Sequence, residues 1–575
     1  MSVPVLRIIG GAVLAGLLAT GGALAAGMGQ ALVDAAYSDD RRMVAALLQR
    51  GANPDAVSAD GSTALAWAAI RGNLPVARLL LAANASPDLA NPLSIRPLAM
   101  ALENGAHDVA RLLIESGADP NAERESGETI LMTAARLGEV GLMRLLIESG
   151  ADPNARERRF GQTALMWSAG NPEAVRLLLD AGADPHPVTR TWNVRYTAYA
   201  PTSFTLGKTG IPWNTYGEFA SKRGGQSAVF FAVRKRDLES VRMLLDAGVD
   251  VNETAADGTS PLLAALYNWM PLDGDFQPGR GAPARAGSSQ RFAPDLDTAG
   301  FLLDRGASAV AADGTGYTPL HAAALAAAWI GRVKDERSDG VYRNLPALLT
   351  LGTPPEQPPF ERSGALALVR RLLDAGADPN RQTGHPTPGP DGDVRINPAP
   401  PGSSSLHIAA NSSSLELVRM LLDEGADPNL VRLDGHTPFS VAVVAGDHPV
   451  VQELIERGAD LSARYDPHDL YPDPVKAISL PRQGQTIVHI AAGIKSLETV
   501  RLLHAQGAEI DRKNDQGETP LDLADHQERF QESLDRQRTE GDPEKLSKVV
   551  RSTKTTDAIR KLIEAGRQPG GADRD

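Results

Sequence analysis

Two short stretches of this sequence combine residue types that can hold a metal ion. The first is an acidic and histidine-containing run made up of Asp466, His468, Asp469 and Asp473. In the second, Asp391 and Asp393 flank Gly392. Neither spacing matches an EF-hand loop or a zinc site, and prolines make both stretches stiff turns. We interpret both as solvated loop carboxylates, with a metal site as the alternative, and we expect no metal and no cofactor.

Motifs for nucleophilic or phosphate chemistry are incomplete. Gly207-Lys208-Thr209 resembles the end of a phosphate-binding loop, but Thr202 stands where the loop needs glycine. Gly402 precedes three serines without the second glycine of a nucleophile elbow, and the chain has no cysteine. We therefore predict a non-enzymatic protein with no catalytic residue. A hydrolase in the long middle units is the alternative.

Aromatic side chains concentrate in the stretch from Arg190 to Arg223. Aromatics make up 5% of the chain, yet seven fall here. They are Trp192, Tyr196, Tyr199, Phe204, Trp213, Tyr216 and Phe219. Large aromatics are common anchors of protein interfaces, so this stretch is the predicted partner-binding site. The alternative is a lid that folds back over the chain's own groove.

Composition narrows the class of partner. The 575 residues are 42% hydrophobic and 22% charged, which is typical of a folded protein, and the net charge is −13. An acidic chain is a poor ligand for nucleic acid or anionic membranes. We expect another protein as partner and no nucleic acid, and we expect a monomer.

The N-terminus has the pattern of an export signal. Arg7 is the only charge before an unbroken apolar and small-residue run from Ile8 to Ala26, and Ala23-Leu24-Ala25 matches a cleavage site. We predict a secretory signal peptide over residues 1–26, the alternative being an uncleaved membrane anchor. The Ala-, Gly- and Arg-rich composition looks bacterial. The expected location is the periplasm, or the inner membrane facing the periplasm if the anchor is retained.

The rest of the chain is repetitive. The segment RLLIESGADPNA occurs at Arg111–Ala122 and again at Arg144–Ala155, 33 residues later. A leucine pair followed by Gly-Ala-Asp or Gly-Ala-Asn recurs about twelve times, with variant forms. Each unit has a turn, a capping Thr before an Ala-rich helix, a break, a second helix and a glycine that ends it. One helix pair cannot bury its apolar side alone, so such units must stack.

These motifs resemble the ankyrin-repeat family. The resemblance is carried by Thr318-Pro319-Leu320-His321, by Ser405-Leu406-His407 and by Ile487-Val488-His489, together with the Gly-Ala-Asp markers. It implies an all-α solenoid of about twelve helix–turn–helix units with short hairpin loops and several irregular insertions. It also implies that His321, His407 and His489 make structural hydrogen bonds to neighbouring loops.

Arginines recur at one position of the second helices. Arg111, Arg144, Arg176, Arg242, Arg370 and Arg419 occupy one slot, and each has an acid four residues later. We expect i,i+4 ion pairs there on a solvated stabilising face, the alternative being a site for an acidic ligand.

The predicted organisation follows the markers and the insertions. Repeats one to five span 30–189 and are followed by the aromatic-rich insertion at 190–223. Repeats six to eight span 224–381 and contain long internal insertions, and a proline-rich finger follows at 382–401. Repeats nine to twelve span 402–566, with insertions at 465–482 and 526–556, before a disordered tail at 567–575.

Together these patterns favour an exported interaction scaffold or regulator. In the resembling fold, partners bind the concave face made by loops and first helices, and hairpin-side insertions join that face. The alternative function is binding of a small ligand or of the cell wall through the aromatic insertion at 190–223.

Overall fold

The computed structural model describes residues 27–202, 213–266, 294–328, 362–384, 402–432, 435–465, 484–525 and 557–562, apart from 413 and 495. For residues 193–202, 213–222 and 362 it describes the backbone only. Within these ranges no helix has the length and apolar character needed to cross a membrane.

The helices group into two compact units. The first unit comprises the chain up to Thr191 together with Gly224–Asp250. Its helices are α1 (27–37), α2 (Arg41–Gln49), α3 (Ala64–Arg71), α4 (Leu74–Ala82), α5 (Pro97–Glu103), α6 (His107–Glu115), α7 (Ile130–Leu137), α8 (Val140–Glu148), α9 (Ala164–Trp167), α10 (Pro172–Asp180), α11 (Ala228–Arg234) and α12 (Leu238–Asp246).

The second unit comprises Trp192–Arg223 and the chain from Val251 onward. Its elements are β1 (Trp192–Thr202), β2 (Trp213–Arg223), α13 (Pro261–Leu266), α14 (Leu296–Asp304), α15 (Pro319–Ala328), α16 (Arg362–Asp374), α17 (Ser405–Ala410), α18 (Leu415–Asp423), α19 (Pro438–Ala445), α20 (His448–Glu456), α21 (Ile487–Gly493), α22 (Leu497–Ala505), α23 (520–525) and α24 (557–562).

Local sequence explains each helix pair, as α3 and α4 illustrate. The Thr63 hydroxyl caps α3 by accepting a first-turn backbone N–H at 3.0 Å. Gly72 ends α3 in the left-handed conformation, with φ of 64°, which glycine adopts without strain. Asn73 caps α4 in the same way at 3.0 Å, and Pro75 sits in the first turn of α4, where its missing N–H costs nothing.

Within each unit the pairs form two layers. First helices pack on first helices, as α3, α5, α7, α9 and α11 do, and second helices pack on second helices, as α2, α4, α6, α8, α10 and α12 do. The core lies between the layers and is built of leucine, alanine and valine. The duplicated segment places Leu113 and Leu146 in equivalent core positions, both with 0% exposure. Truncating either to alanine is expected to cost about 2–5 kcal/mol.

Asparagines bridge consecutive repeats. The amide of Asn121 donates to the carbonyl of Gly150 at 2.9 Å, and its side-chain oxygen accepts the N–H of Asp152 at 2.7 Å. The same pair of bonds to the following repeat is made by Asn154, Asn252, Asn380 and Asn429. The duplicated twelve residues therefore repeat their inter-repeat bonds as well as their core contacts.

The predicted all-α stack of helix–turn–helix units is confirmed for the repeats. The stretch predicted as an irregular aromatic insertion is instead a regular two-stranded antiparallel ribbon, β1 with β2. The ribbon does not interrupt the first unit. The N–H of Thr189 donates to the carbonyl of Gln226 at 3.0 Å and the N–H of Gly225 donates back to Thr189, so the chain on either side is joined, and α11 packs on α9.

Several predicted segments lie outside the described residues. These are the signal peptide at 1–26, Phe204, Gly207-Lys208-Thr209, both metal-candidate clusters, most of the finger at 382–401, the insertion at 465–482 after Tyr465, the insertion at 526–556 and the tail at 567–575.

Candidate functional site

The first helices of the first unit present a surface that we call the inner-helix face. One position of these helices, four residues after the N-cap, is aromatic in three of them: Trp67 follows Thr63, Trp167 follows Thr163, and Phe231 follows Ser227. All three aromatic side chains are half-buried. This position follows the buried residues of the first turn, so its side chain lies at the edge of the core and remains partly open to solvent.

Arginines cover two of these three aromatic rings. The guanidinium of Arg136 lies 5.8 Å from the Trp167 ring centroid, and that of Arg234 lies 4.6 Å from the Phe231 ring centroid. At the first repeat, Arg71 lies 4.9 Å from the ring centroid of Tyr37, which itself makes an edge contact with Trp67 at 4.7 Å. A cation over an aromatic face contributes about 0.5–1 kcal/mol at exposed sites.

A charged network lies between the aromatic positions. Glu103 accepts an ion pair from Arg124 at 2.5 Å, and Arg136 lies 3.7 Å from Glu103 and 3.5 Å from Glu128. The hydroxyl of Thr133 also donates to Glu128 at 2.9 Å. Between Trp67 and Trp167 the inner-helix face therefore carries fixed charges flanked by half-buried aromatic rings, and tryptophan and arginine are enriched in interface hot spots.

The three predicted structural histidines lie in the second unit and are buried. In His321, Nδ1 accepts the N–H of Thr318 at 3.3 Å while Nε2 faces the carbonyl of Ser403, in the following described repeat, at 3.1 Å. A carbonyl only accepts, so Nε2 carries the proton and the ring is neutral. His407 and His489 repeat the arrangement, with Nε2 facing the carbonyls of His436 and Glu518.

Burial sets the protonation of these rings. Desolvation lowers the pKa of His321 to about 4, and it also lowers the pKa of His489. Each ring is buried, and Nδ1 and Nε2 are both occupied, so the geometry joins neighbouring repeats and leaves no nitrogen for acid–base work on a substrate.

The aromatic ribbon brings most of the predicted binding residues together by register. Tyr196 is opposite Phe219, Tyr199 is opposite Tyr216, Thr202 is opposite Trp213, and Trp192 is opposite Arg223. Four of the seven predicted residues thus form two cross-strand pairs, and Trp213 lies where β2 begins. Trp192, a sixth predicted residue, is half-buried where β1 begins. Because cross-strand pairs are neighbours on a ribbon, they form a unit rather than a scattered set.

The predicted i,i+4 pairing of the second-helix arginines is wrong at three positions. Arg176 pairs with Glu239 at 3.5 Å, Arg370 with Glu424 at 3.5 Å, and Arg419 with Glu453 at 2.7 Å. Each partner belongs to the following repeat, not to the arginine's own helix. Stacked second helices bring an acid of the next repeat within reach, so the ion pairs link repeats.

The described parts of the chain contain neither a group of side chains placed to bind a metal ion nor, in the groove described below, a pair of acid–base groups. No group of three or more His, Asp or Glu side chains there is placed to hold a metal ion. An open groove of about 530 Å³ lies between the ends of α4 and α6 and is lined by Arg78, Leu112 and Ser116 among others. It contains no histidine or carboxylate, so it offers no acid–base pair.

Sequence reasoning missed the arginine–aromatic contacts and the asparagine bridges. Aligning the units by their N-caps would have shown that Trp67, Trp167 and Phe231 share one position. The asparagine of the Gly-Ala-Asp-x-Asn marker was also visible, but its two partners lie in the next repeat.

Comparisons with known proteins agree with the fold. The family model described as Ankyrin repeats (3 copies) matches residues 32–124, 119–188 and 361–465, and that described as Ankyrin repeat matches residues 483–515. Together the matches cover just over half of the chain. A transient receptor potential cation channel subfamily A member 1 homolog of Caenorhabditis elegans is 27% identical over 123 residues, which are 21% of this chain and 9% of that protein. The chain thus covers under a tenth of that relative's length.

Proposed function

Because the chain belongs to the ankyrin-repeat family, whose repeats generally mediate protein–protein interaction, we propose that it is a non-enzymatic scaffold or regulator that binds another protein. The partner contacts the inner-helix face of the first unit, and the aromatic ribbon makes a second contact. The single observation that carries this proposal is the recurrence of half-buried aromatics at one position of three first helices. Arginines cover Trp167 and Phe231 directly, and Trp67 contacts Tyr37, which Arg71 covers.

The physical argument concerns the apolar area that these rings expose to water. A partly exposed tryptophan or phenylalanine leaves apolar area in water, and burying that area against a partner is favourable by roughly 25 cal/mol per Å². The rings are already fixed by packing, and Trp167 is further held by a hydrogen bond from its Nε1 to Gln162 at 2.8 Å. Binding therefore requires little additional ordering of side chains.

The proposed location is the bacterial periplasm. The support is the uncharged run from Ile8 to Ala26 with its small-residue cleavage pattern. Mass spectrometry of the chain purified from an envelope fraction tests this. A mature N-terminus close to Gly27 supports export with cleavage, an intact N-terminus in the membrane fraction supports the anchored alternative, and recovery from the cytosol contradicts both.

Site-specific photo-cross-linking tests the partner surface. Leu137 is 39% exposed on the inner-helix face, and Glu148 is exposed at the end of the second helix of the same repeat. A photoreactive residue at 137 should give a discrete adduct in envelope extract, whereas one at 148 should not. Adducts of equal yield at both positions would contradict the assignment of the face.

The ribbon is tested by removing it. Trp192 and Arg223 are cross-strand partners, so residues 193–222 can be replaced by a short Gly-Ser linker without separating the ends. We expect the far-ultraviolet helix signal to persist and partner capture to fall. Unchanged capture would remove the ribbon from the proposal and leave the inner-helix face.

A further inference from the structure

A cluster of arginines occupies the tips of two successive hairpins in the first unit. We call it the arginine platform, and its members are Arg156, Arg158, Arg159 and Arg190. All four are exposed, on a chain whose overall charge is −13. A local excess of positive charge on an acidic protein calls for an explanation in terms of either packing or binding.

Two of the four guanidinium groups, those of Arg156 and Arg190, are held in place by backbone carbonyl groups. Arg156 donates from Nε to the carbonyl of Gly161 at 3.0 Å and also donates to the carbonyl of Val188. Arg190 donates to the carbonyl of Arg158 at 2.6 Å. Bonds to carbonyls fix the position of a guanidinium but leave its charge uncompensated, and a guanidinium has further N–H groups to offer.

The nearby acids leave most of that charge unbalanced. Glu157 is buried, and its carboxylate accepts the backbone N–H groups of Arg159, Phe160 and Gln162 at 2.6, 2.6 and 3.0 Å, so it is committed to its own turn. Of the acidic side chains in the described ranges, Glu123 is the one that forms an ion pair with the platform, to Arg158 at 2.8 Å.

The backbone bonds between successive hairpins do not require arginine. The N–H of Arg158 donates to the carbonyl of Ser126 at 2.8 Å, and that of Arg190 donates to the carbonyl of Phe160 at 2.7 Å, which ties each hairpin to the one before. In the second unit the same hairpin-to-hairpin bond is made by glycines, from Gly314 at 2.9 Å and from Gly384 at 2.6 Å. A residue without a side chain suffices for this backbone bond, so the bond alone does not account for the arginine side chains.

The platform adjoins the proposed partner surface. The hairpin that carries Glu123, which pairs with Arg158, also carries Arg124 and Glu128, which pair with Glu103 and Arg136 of the inner-helix face. A protein seated on that face can therefore reach the platform as well. Planar guanidinium groups bind carboxylates with two parallel hydrogen bonds, and this geometry favours Asp and Glu side chains.

We propose that the arginine platform receives an acidic segment, a run of Asp or Glu side chains, of the partner protein. The inference rests on the proposed function for the class of partner and adds the chemistry of the segment that docks. The overall negative charge of the chain repels any polyanion at long range, acidic peptide and polynucleotide alike, so the choice of a protein segment follows from the class of partner in the proposed function.

A fluorescent oligo-glutamate peptide is the probe, with oligo-glutamine as the uncharged reference, and both are titrated into the full chain. The test variant is Arg158→Ala/Arg159→Ala/Arg190→Ala, which retains Arg156 because it ties the turn together. The matched control is Arg41→Ala/Arg42→Ala/Arg50→Ala, which removes the same charge from an exposed surface of the first repeat. We expect the test variant to bind oligo-glutamate about tenfold more weakly or worse, and the control to change by less than about twofold.

A gain of affinity provides a second, independent reading. Glu123→Gln removes the carboxylate that competes for Arg158, so oligo-glutamate should bind more tightly to this variant. Glu416→Gln, an exposed acid in the second unit, should have a smaller effect. This test remains decisive if the triple variant fails to fold, because it removes no arginine.

The inference would be overturned if the two triple variants lost affinity for oligo-glutamate to the same extent, or if Glu123→Gln did not gain affinity for it. So would binding of a single-stranded oligonucleotide that is tighter than binding of oligo-glutamate and depends on the same three arginines. The proposed function is tested by a different experiment, and it is contradicted if cross-linking from the inner-helix face is not selective. The peptide titration does not depend on the result of that experiment.

Discussion

Arg136 of one repeat covers the ring of Trp167 in the next repeat, with the guanidinium 5.8 Å from the ring centroid. The contact therefore spans the junction between two first helices, α7 and α9. The neighbouring rings and arginines repeat the chemistry along the first unit, and the result is a surface whose aromatic groups are fixed before any partner arrives.

The first prediction concerns the pH dependence of stability at His321. Its pKa is lowered by burial to about 4 in the folded protein, against about 6.5 in an unfolded chain. Between these two pH values the His321 ring binds a proton in the unfolded chain but not in the folded chain. The contribution of neutral His321 to the free energy of unfolding is therefore complete above pH 6.5 and is lost as the pH falls toward 4. The loss from this residue is on the order of 3 kcal/mol.

Urea denaturation of the wild type and of His321→Gln across this pH range measures the effect. The variant should be less stable at pH 7, by about 1–3 kcal/mol, because the ring's bonds are lost, and its pH slope should be shallower. His186→Gln, at an exposed histidine in the first unit, is the control. An identical slope in the wild type and in His321→Gln would contradict the assignment.

The second prediction concerns the asparagine bridges. In Asn429→Ala, the bonds to Gly458 at 3.0 Å and to Asp460 at 2.8 Å both disappear, and the free energy of unfolding should fall by about 1–2 kcal/mol. Asn429→Asp keeps the acceptor for Asp460 but places a carboxylate against a carbonyl. It should therefore recover no more than part of the loss. Full stability in the alanine variant would show that the bridge contributes nothing.

The third prediction concerns the ion pairs between second helices. Glu453 has a side chain only 7% exposed and lies 2.7 Å from Arg419 and 3.1 Å from Arg457. Glu453→Ala removes both contacts and should cost about 1–2 kcal/mol, since the two arginines are themselves partly solvated.

The matched control is Glu239→Ala, at an acid that pairs with Arg176 at 3.5 Å with both side chains at least half exposed. That pair should contribute less than about 0.5 kcal/mol. Chemical denaturation of both variants measures the loss in the free energy of unfolding. Equal losses would contradict the claim that burial of Glu453 strengthens its ion pairs.

The sequence predicted the repeats well because their signals are local. The caps at Thr63 and Asn73 and the glycine at 72 act within a few residues, so their effect can be read without knowing the fold. The ribbon was missed although aromatic residues and a Gly-containing centre are typical of hairpins. The surrounding helical period led to its interpretation as an irregular insertion.

The candidate surface was harder to predict because it depends on stacking. Arg419 has Asp423 four residues away in its own helix, yet it pairs with Glu453 from the next repeat. Similarly, Arg136 meets Trp167 only because α7 and α9 are adjacent. Spacing within one helix cannot reveal partners that are 31 or more residues away, whereas an alignment of the units by their caps identifies the shared positions.

The most direct test of the account compares partner affinity between two matched charge-reversal variants. Arg71→Glu/Arg136→Glu places carboxylates over the rings of the inner-helix face, and Arg111→Glu/Arg144→Glu makes the same change in charge at exposed positions of the second helices. For the protein cross-linked from position 137, calorimetry should give a Kd roughly thirtyfold higher for the first variant, the effect of losing a hot spot of about 2 kcal/mol, and a nearly unchanged Kd for the second. Equal affinities of the two variants for that protein would contradict the claim that the inner-helix face is the binding surface.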